Sequence, residues 1–168
     1  AIKLDNSMPR THLKLAQARD GLGDDQGVIE SLTDAVTAGP RLMPAYLMLG
    51  QRYHRLGYGD HALRVYRSAL DASVEGSEEM ASVHYLMGNT FRDQKQPLKA
   101  VESFRTALSL VKDMPDALFA LGWLLADEGQ STEAVERLER FVAVGRGSSP
   151  PHYLSAAEAR IQELKAEL

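Results

Sequence analysis

The chain has 168 residues, 44% of them hydrophobic and 25% charged, which suits one soluble globular domain with a substantial core. A formal net charge of −4 lacks the basic excess of a nucleic-acid binder, and no stretch approaches the roughly 18 apolar residues of a membrane span. The absence of Cys excludes disulfides, thiolate chemistry and Cys-based zinc sites. The chain begins at Ala1 without a Met or a signal-like apolar run, which suits a processed protein or a piece of a longer one.

Residues 1–8 carry no clear structural signal and read as a tail. From residue 9 a small residue recurs beside a large apolar one at Ala16, Gly50, Gly88 and Gly122, spaced 34, 38 and 34 residues apart. A period in this range marks a stack of one helical supersecondary unit. The first unit, about 9–42, carries His12, Leu15, Ala16 and Arg19, then Val28, Leu32 and Ala35. The second, 43–80, carries Tyr46, Leu49, Gly50 and Tyr53, then Ala62, Tyr66 and Ala69. The third, 81–114, has His84, Met87, Gly88 and Phe91, then Ala100, Phe104 and Ala107. The fourth, 115–148, has Leu118, Leu121, Gly122 and Leu125, then Ala134, Leu138 and Phe141. Spacings of three and four put each set on one helical stripe.

Pro44, Pro97 and Pro115 suit the first turn of a helix. Asp60 and Ser131 are the expected N-caps of the second helices in units two and four, and Gly57 and Gly129 lie in the turns before them. Ser77 followed by Glu78 and Glu79 predicts a helix start. The interval of 38 implies four extra residues near 74–80, in a longer helix or a longer loop. Residues 145–151 form a break. Tyr153, Leu154, Ala157, Ile161, Leu164 and Leu168 then form the stripe of a capping helix over 150–168.

This pattern resembles the tetratricopeptide repeat family: a bulky residue, Leu-Gly, an aromatic, then Ala, an aromatic and Ala. The resemblance covers roughly residues 9–148. It departs at Arg19 and Leu125, where an aromatic is usual, and at Phe141, where a small residue is usual. These lie in the first and last units, where capping repeats are atypical. The resemblance implies an all-α fold, a right-handed α-solenoid of four helix hairpins plus a C-terminal capping helix, forming a single domain over 1–168. The small residues on helix A and the Ala residues on helix B let the two helices approach closely.

In this family helix A of each unit faces a concave groove. The matching positions form two rows, Leu13, Leu47, Tyr85 and Phe119 beside Gln17, Gln51, Asn89 and Trp123, with His54, Arg55, Arg92, Asp93 and Asp127 further along the face. Each member of the second row follows its partner by four residues, so the rows are adjacent. An amide offers a donor and an acceptor, as an extended peptide backbone does. The apolar row would take the peptide's side chains. The plainer alternative is that the amides are solvated surface and that Tyr85 and Phe119 pack between repeats. For Trp123 the choice is between a groove anchor and a residue buried under the capping helix.

The cationic clamp by which some family members hold a C-terminal carboxylate is absent. Its positions in units one to three are Leu13, Gln17, Met48, Ser82 and Leu86. One unit along they are Leu47, Gln51, Leu86, Asp116 and Ala120. Catalysis has little support. His12 and His84 occupy packing positions, His54 and His61 lack a third ligand, and no metalloprotease, phosphate-loop or nucleophile-elbow motif is present. The expected function is a non-enzymatic adaptor binding a peptide segment of another protein, with no cofactor, no metal, no nucleic acid and no membrane insertion. The alternative is self-association or docking in a multi-subunit assembly, which uncovered Val28, Ile29 and Leu32 would support. The compartment stays open, cytoplasm being the leading expectation and periplasm the other.

Overall fold

A computed structural model describes residues 8–73 and 76–168. Apart from Met8, the tail therefore lies outside the described residues, as do 74 and 75. Among the described residues every regular element is an α-helix. The order is α1 (Pro9–Gly21), α2 (Asp25–Ala38), α3 (Met43–Arg55), α4 (Gly59–Ala72), α5 (Glu78–Asp93), α6 (Pro97–Leu110), α7 (Pro115–Asp127), α8 (Ser131–Gly145) and α9 (Pro151–Glu167). The chain divides into two compact units, Ala1–Leu86 and Met87–Leu168, with the boundary inside α5. In the first, α1 packs on α2, α2 on α3 and α3 on α4. In the second, α6 packs on α7, α7 on α8 and α8 on α9.

The helix pairs are set by a contact at a constant offset. The residue sixteen positions after each small residue is Leu32, Tyr66, Phe104 or Leu138, and all four are fully buried. A Cβ built on Gly50 would overlap the Tyr66 ring. On Gly88 it would lie 2.5 Å from Phe104 Cε1, and on Gly122 2.8 Å from Leu138 Cγ. All three glycines are therefore floors for a large side chain from the partner helix, and Ala16 packs in one cluster with Leu32. Phe141 departs from the small-residue pattern: its ring packs back on Phe119 of α7 at 5.1 Å, and Gly145, one turn on, makes room for Leu154 of α9.

One turn is repeated within every hairpin. Its middle residue stands in the left-handed region: Gly23, Gly57 and Gly129 at φ 73°, 80° and 74°, and Lys95 at φ 60°. The next N–H closes on the last turn of the preceding helix, as Tyr58 N on Tyr53 O at 2.9 Å, Gln96 N on Phe91 O at 2.9 Å and Gln130 N on Leu125 O at 2.8 Å. This is a Schellman closure, which satisfies carbonyls that the helix end leaves open. It also corrects two expected caps. The residue after the left-handed one becomes the N-cap, so Tyr58 and Gln130 cap α4 and α8, and Asp60 and Ser131 sit inside the first turn. In α2 the same position is Asp24, whose side chain accepts from Gly27 N at 2.9 Å. Ser77 caps α5 as expected, accepting from Met80 N at 3.3 Å. The third unit starts at Glu78, ahead of the expected 81, because α5 has 16 residues where α1, α3 and α7 have 13. That supplies three of the four extra residues, and the connector 73–77 supplies the fourth.

Two surface details depart from the expected stripes and one follows them. Leu15 is 43% exposed although Leu49, Met87 and Leu121 at its repeat position are buried, since no described helix precedes α1. Val28 and Leu32 follow the stripe at 1% and 0% exposed, and Ile29 packs on the same cluster, so the exposure that would have favoured self-association is not found at these three residues. On α9, Ala157, Ile161 and Leu164 are buried, while Tyr153 and Leu168 remain exposed.

Three expectations follow from this packing. Gly50→Leu must displace Tyr66 from the α3 backbone and should lower unfolding free energy by about 1–3 kcal/mol in urea titrations. Tyr66→Phe should be neutral or stabilising by about 1 kcal/mol, because the Tyr66 hydroxyl is buried with no partner among the described residues and burial raises its pKa. Half-buried His84 has its pKa lowered from 6.5 by desolvation. The unfolded chain then binds the proton first as pH falls, so this contribution is intact above 6.5 and lost below it. Denaturation at pH 5.5 against 7.5 should show a drop that His84→Leu reduces.

Candidate functional site

The residues of the two expected rows lie on α1, α3, α5 and α7 and differ in exposure within each unit. On α1 and α3, Gln17, Gln51 and Arg55 are exposed and Leu47 and His54 are half-buried. Leu13 is drawn inward, packed against the cluster of Ala16, Val28, Leu32, Ala35, Ala45 and Leu49. On α5, Tyr85 and Asn89 are half-buried and Arg92 is exposed. On α7, Phe119 and Trp123 are half-buried.

A group the sequence reading passed over lies beneath this face in the first unit. Arg52, next to Gln51, is buried and forms ion pairs with Asp20 at the end of α1 and Asp25 at the start of α2. Burial lowers its pKa, and neighbouring Arg55 adds repulsion in the same direction. Arg55 Nη2 stands 3.8 Å from Asp20 Oδ1, so part of its charge is turned to this junction. Arg19 binds the first hairpin similarly, donating to Gly27 O at 2.8 Å and Ser31 Oγ at 3.0 Å. Its place at the usual aromatic position therefore has a structural use: it replaces ring packing with hydrogen bonds to α2. The signal for Arg52 was its three-residue step from Leu49 along the buried stripe.

In the second unit the candidate residues converge on a cavity of about 580 Å³ between the end of α5, the start of α6 and α7. Its apolar lining is Pro97, Phe119, Ala120, Trp123 and Leu124, and its charged lining is Arg92, Asp93, Lys95, Asp127 and Glu128. Arg92, Phe119 and Trp123 come together here. The rings of Phe119 and Trp123 lie 5.3 Å apart. Phe119 is also met edge-on by Tyr153 of α9 at 5.1 Å. The capping helix thus reaches the α7 aromatics through Phe119, while Trp123 stands on the cavity wall. Arg92 Nε lies 3.2 Å from Asp93 Oδ1, and Asp127 lies 3.7 Å from Arg160 of α9. Both leave exposed Lys95 and Glu128 at the same opening.

Lys95, Pro97, Ala120, Leu124 and Glu128 were not picked out from the sequence. Lys95 had a signal: it holds the turn position that is glycine in the other three hairpins. A long side chain at a left-handed residue is a local cost that points to use of the side chain. A second cavity, of about 450 Å³, lies by Pro40, Tyr46 and Asp71 and contains none of the predicted residues. Among the described residues no group of three or more His, Asp or Glu could hold a metal ion. His12, at a packing position, stands 3.8 Å from Asp34, and His61 lies against the Tyr53 ring at 5.3 Å. Among the described residues no helix is long and apolar enough to cross a membrane.

Comparison with known proteins bears on the family. Models of the tetratricopeptide repeat match residues 43–68, 81–112 and 116–144, together more than half of the chain. The chain is 24% identical over 139 residues to mouse protein O-mannosyl-transferase TMTC1 and 32% identical over 84 residues to Drosophila melanogaster Tmtc3. These alignments cover 83% and 50% of the chain but only 15% and 9% of those proteins' own lengths. Among solved structures it is similar to BtubC from P. vanneervenii, with a TM-score of 0.79 and 20% identity over 94% of this chain and 71% of that one. It is also similar to YrrB, described as a TPR protein with an unusual peptide-binding site, with a TM-score of 0.72 and 19% identity over 99% and 80%. A MamA structure gives a TM-score of 0.71 and 18% identity over 94% and 86%. With nine helices described, the repeated small-on-large contact and these matches, the chain belongs to the tetratricopeptide repeat family of helix-hairpin proteins, which generally serve as protein–protein interaction scaffolds.

Proposed function

We propose that this chain is a non-enzymatic adaptor that binds an extended peptide segment of a partner protein on the outer faces of its A helices. The carrying observation is the cavity walled by Trp123 and Phe119. An aromatic wall with apolar neighbours and charges at its opening suits one bulky apolar side chain, whose flanking backbone and polar groups stay at the charged edge. Asn89 on α5, in the same unit as the cavity, supplies an amide donor and acceptor for backbone recognition. YrrB, with a related fold, is described as having a peptide-binding site, which supports this reading by analogy of fold. The transferase activity named for the long relatives belongs to proteins of which this chain matches a small part, and no catalytic group is assigned here.

The test uses peptides selected from a random displayed library on the wild-type chain. They should bind with a Kd of about 1 μM, since one standard groove rarely does better without further anchors. Trp123→Ala should weaken them roughly thirtyfold, the effect of losing a central aromatic anchor. Asn89→Ala should weaken them as well, and Trp123 fluorescence should change on binding. Peptides that bind wild type and Trp123→Ala equally well would remove the cavity from the account. Unchanged affinity in Asn89→Ala would remove the amide alone.

A further inference from the structure

The turn between α5 and α6 carries a backbone strain that the other three hairpins avoid. Lys95 stands at φ 60° where Gly23, Gly57 and Gly129 stand in the equivalent turns, and among the described residues no other non-glycine has a positive φ. Space does not account for the difference. A Cβ built on any of those three glycines would meet nothing within 4 Å, so a side chain fits at each turn and only the backbone cost opposes it. The third turn has braces that hold the strained form. Gln96 Nε2 donates to Gln94 Oε1 at 3.2 Å, and Lys99 Nζ donates to Gln96 Oε1 at 2.6 Å. Lys99 also lies 5.6 Å from the centre of the Phe91 ring. The long polar side chains around Lys95 are thus used within the turn, and they over-determine its conformation.

Lys95 itself is not used in this way. Its side chain lines the cavity walled by Trp123 and Phe119, and it forms no ion pair with a described residue. The other charges at the opening separate into two kinds. Arg92 is matched by Asp93 at 3.2 Å, and Asp127 by Arg160 at 3.7 Å. Glu128, directly after α7, is exposed and likewise forms no ion pair with a described residue. One cation and one anion, held on different helix ends, therefore remain for a ligand. We infer that Lys95 is a specificity-determining residue of this cavity: it pairs with an acidic side chain flanking the apolar residue held by Trp123, and Glu128 takes a basic side chain on that residue's other flank. The inference rests on the peptide-binding reading of the cavity and names the class of segment: an extended peptide carrying an acid and a base on either side of a bulky apolar residue. A segment of one charge sign would set one of these two groups against its like, and charges at such a rim act on choice of partner and register more than on affinity.

The test selects one random displayed peptide library in parallel on the wild-type chain and on Lys95→Glu. Wild-type peptides should carry Asp or Glu within two residues of the apolar anchor and Lys or Arg on its other flank. Peptides selected on Lys95→Glu should lose the acid and gain a second base. In titrations, Lys95→Glu should bind the wild-type peptides about tenfold more weakly at low ionic strength, where attraction is replaced by repulsion, with the gap narrowing as salt is added. Exchanging the peptide's acid for Lys should restore binding to Lys95→Glu. Lys95→Gly should raise the midpoint of thermal unfolding, as strain is relieved, and still weaken the wild-type peptides about threefold. A Lys95→Gly chain that is stabilised and binds undiminished, or selected peptides with no acid near the anchor, would overturn the inference. Weakening by Trp123→Ala alongside either result leaves the cavity as an anchor site and removes only the role of Lys95. Peptides indifferent to Trp123→Ala remove the cavity, and this inference falls with it.

Discussion

A large side chain lying on bare backbone is the contact on which each hairpin depends. Gly50 and Gly88 have no Cβ, so the rings of Tyr66 and Phe104 rest on the helix opposite. That separation could not be reached with a branched residue at either position, and Ala16 with Leu32 is the mildest form of it. The geometry has a consequence on the far side of each A helix. Once the small residue and its three- and four-residue neighbours are committed inward, the residue that follows the small one is turned away from the partner helix. Gln51 and Asn89 each follow their glycine by one residue, and Trp123 follows Gly122, so the site positions are dictated by the core contact.

The turn between helices transmits the same order. A left-handed residue followed by a Schellman bond fixes where helix B begins, independent of whether a good capping side chain is at hand. This is why Tyr58 and Gln130 cap their helices while Asp60 and Ser131 are displaced into the first turn. In the third hairpin the left-handed residue is Lys95, and its side chain lines the cavity with Trp123 and Arg92. Structural convenience at that position would favour glycine. The cationic side chain is instead placed where the apolar wall meets solvent, a departure from local preference at the one turn that borders the candidate site.

The repeat was legible because its contacts are sequence-local and periodic. Intervals of 34 and 38 residues and the three- and four-residue stripes announced the hairpins, and the extra residues near 74–80 announced either a longer helix or a longer connector, of which α5 takes the larger share. The burial of Arg52 was legible in its step from Leu49, but its pairing was not, since Asp20 and Asp25 are 32 and 27 residues away and no spacing rule ties them together. The cavity was half legible. Trp123, Phe119 and Arg92 lie on predicted rows, whereas Lys95 and Pro97 come from a turn that a helix-face argument does not reach. Leu15 was misjudged for a different reason: the pattern says which face is apolar, and burial depends on whether a neighbour lies against that face.

One repeat position shows how an otherwise uniform stack acquires individual properties. Ala18, Arg52, Thr90 and Leu124 are equivalent by spacing, ten residues into their repeats. Thr90 is buried outright. Arg52 is buried as well, and ties α3 to the acidic end of α1 and start of α2, a directional contact that an aliphatic residue could not make. Leu124 serves both as core and as lining for the cavity beneath Trp123. Ala18 is exposed on α1, beside Leu15 and Leu22. The invariant contacts between small and large residues fix how the helices lie, and that rigidity leaves this position free to differ. Specificity in such a protein is therefore sought where equivalent residues stop matching: at Arg52, and at Lys95 and Trp123.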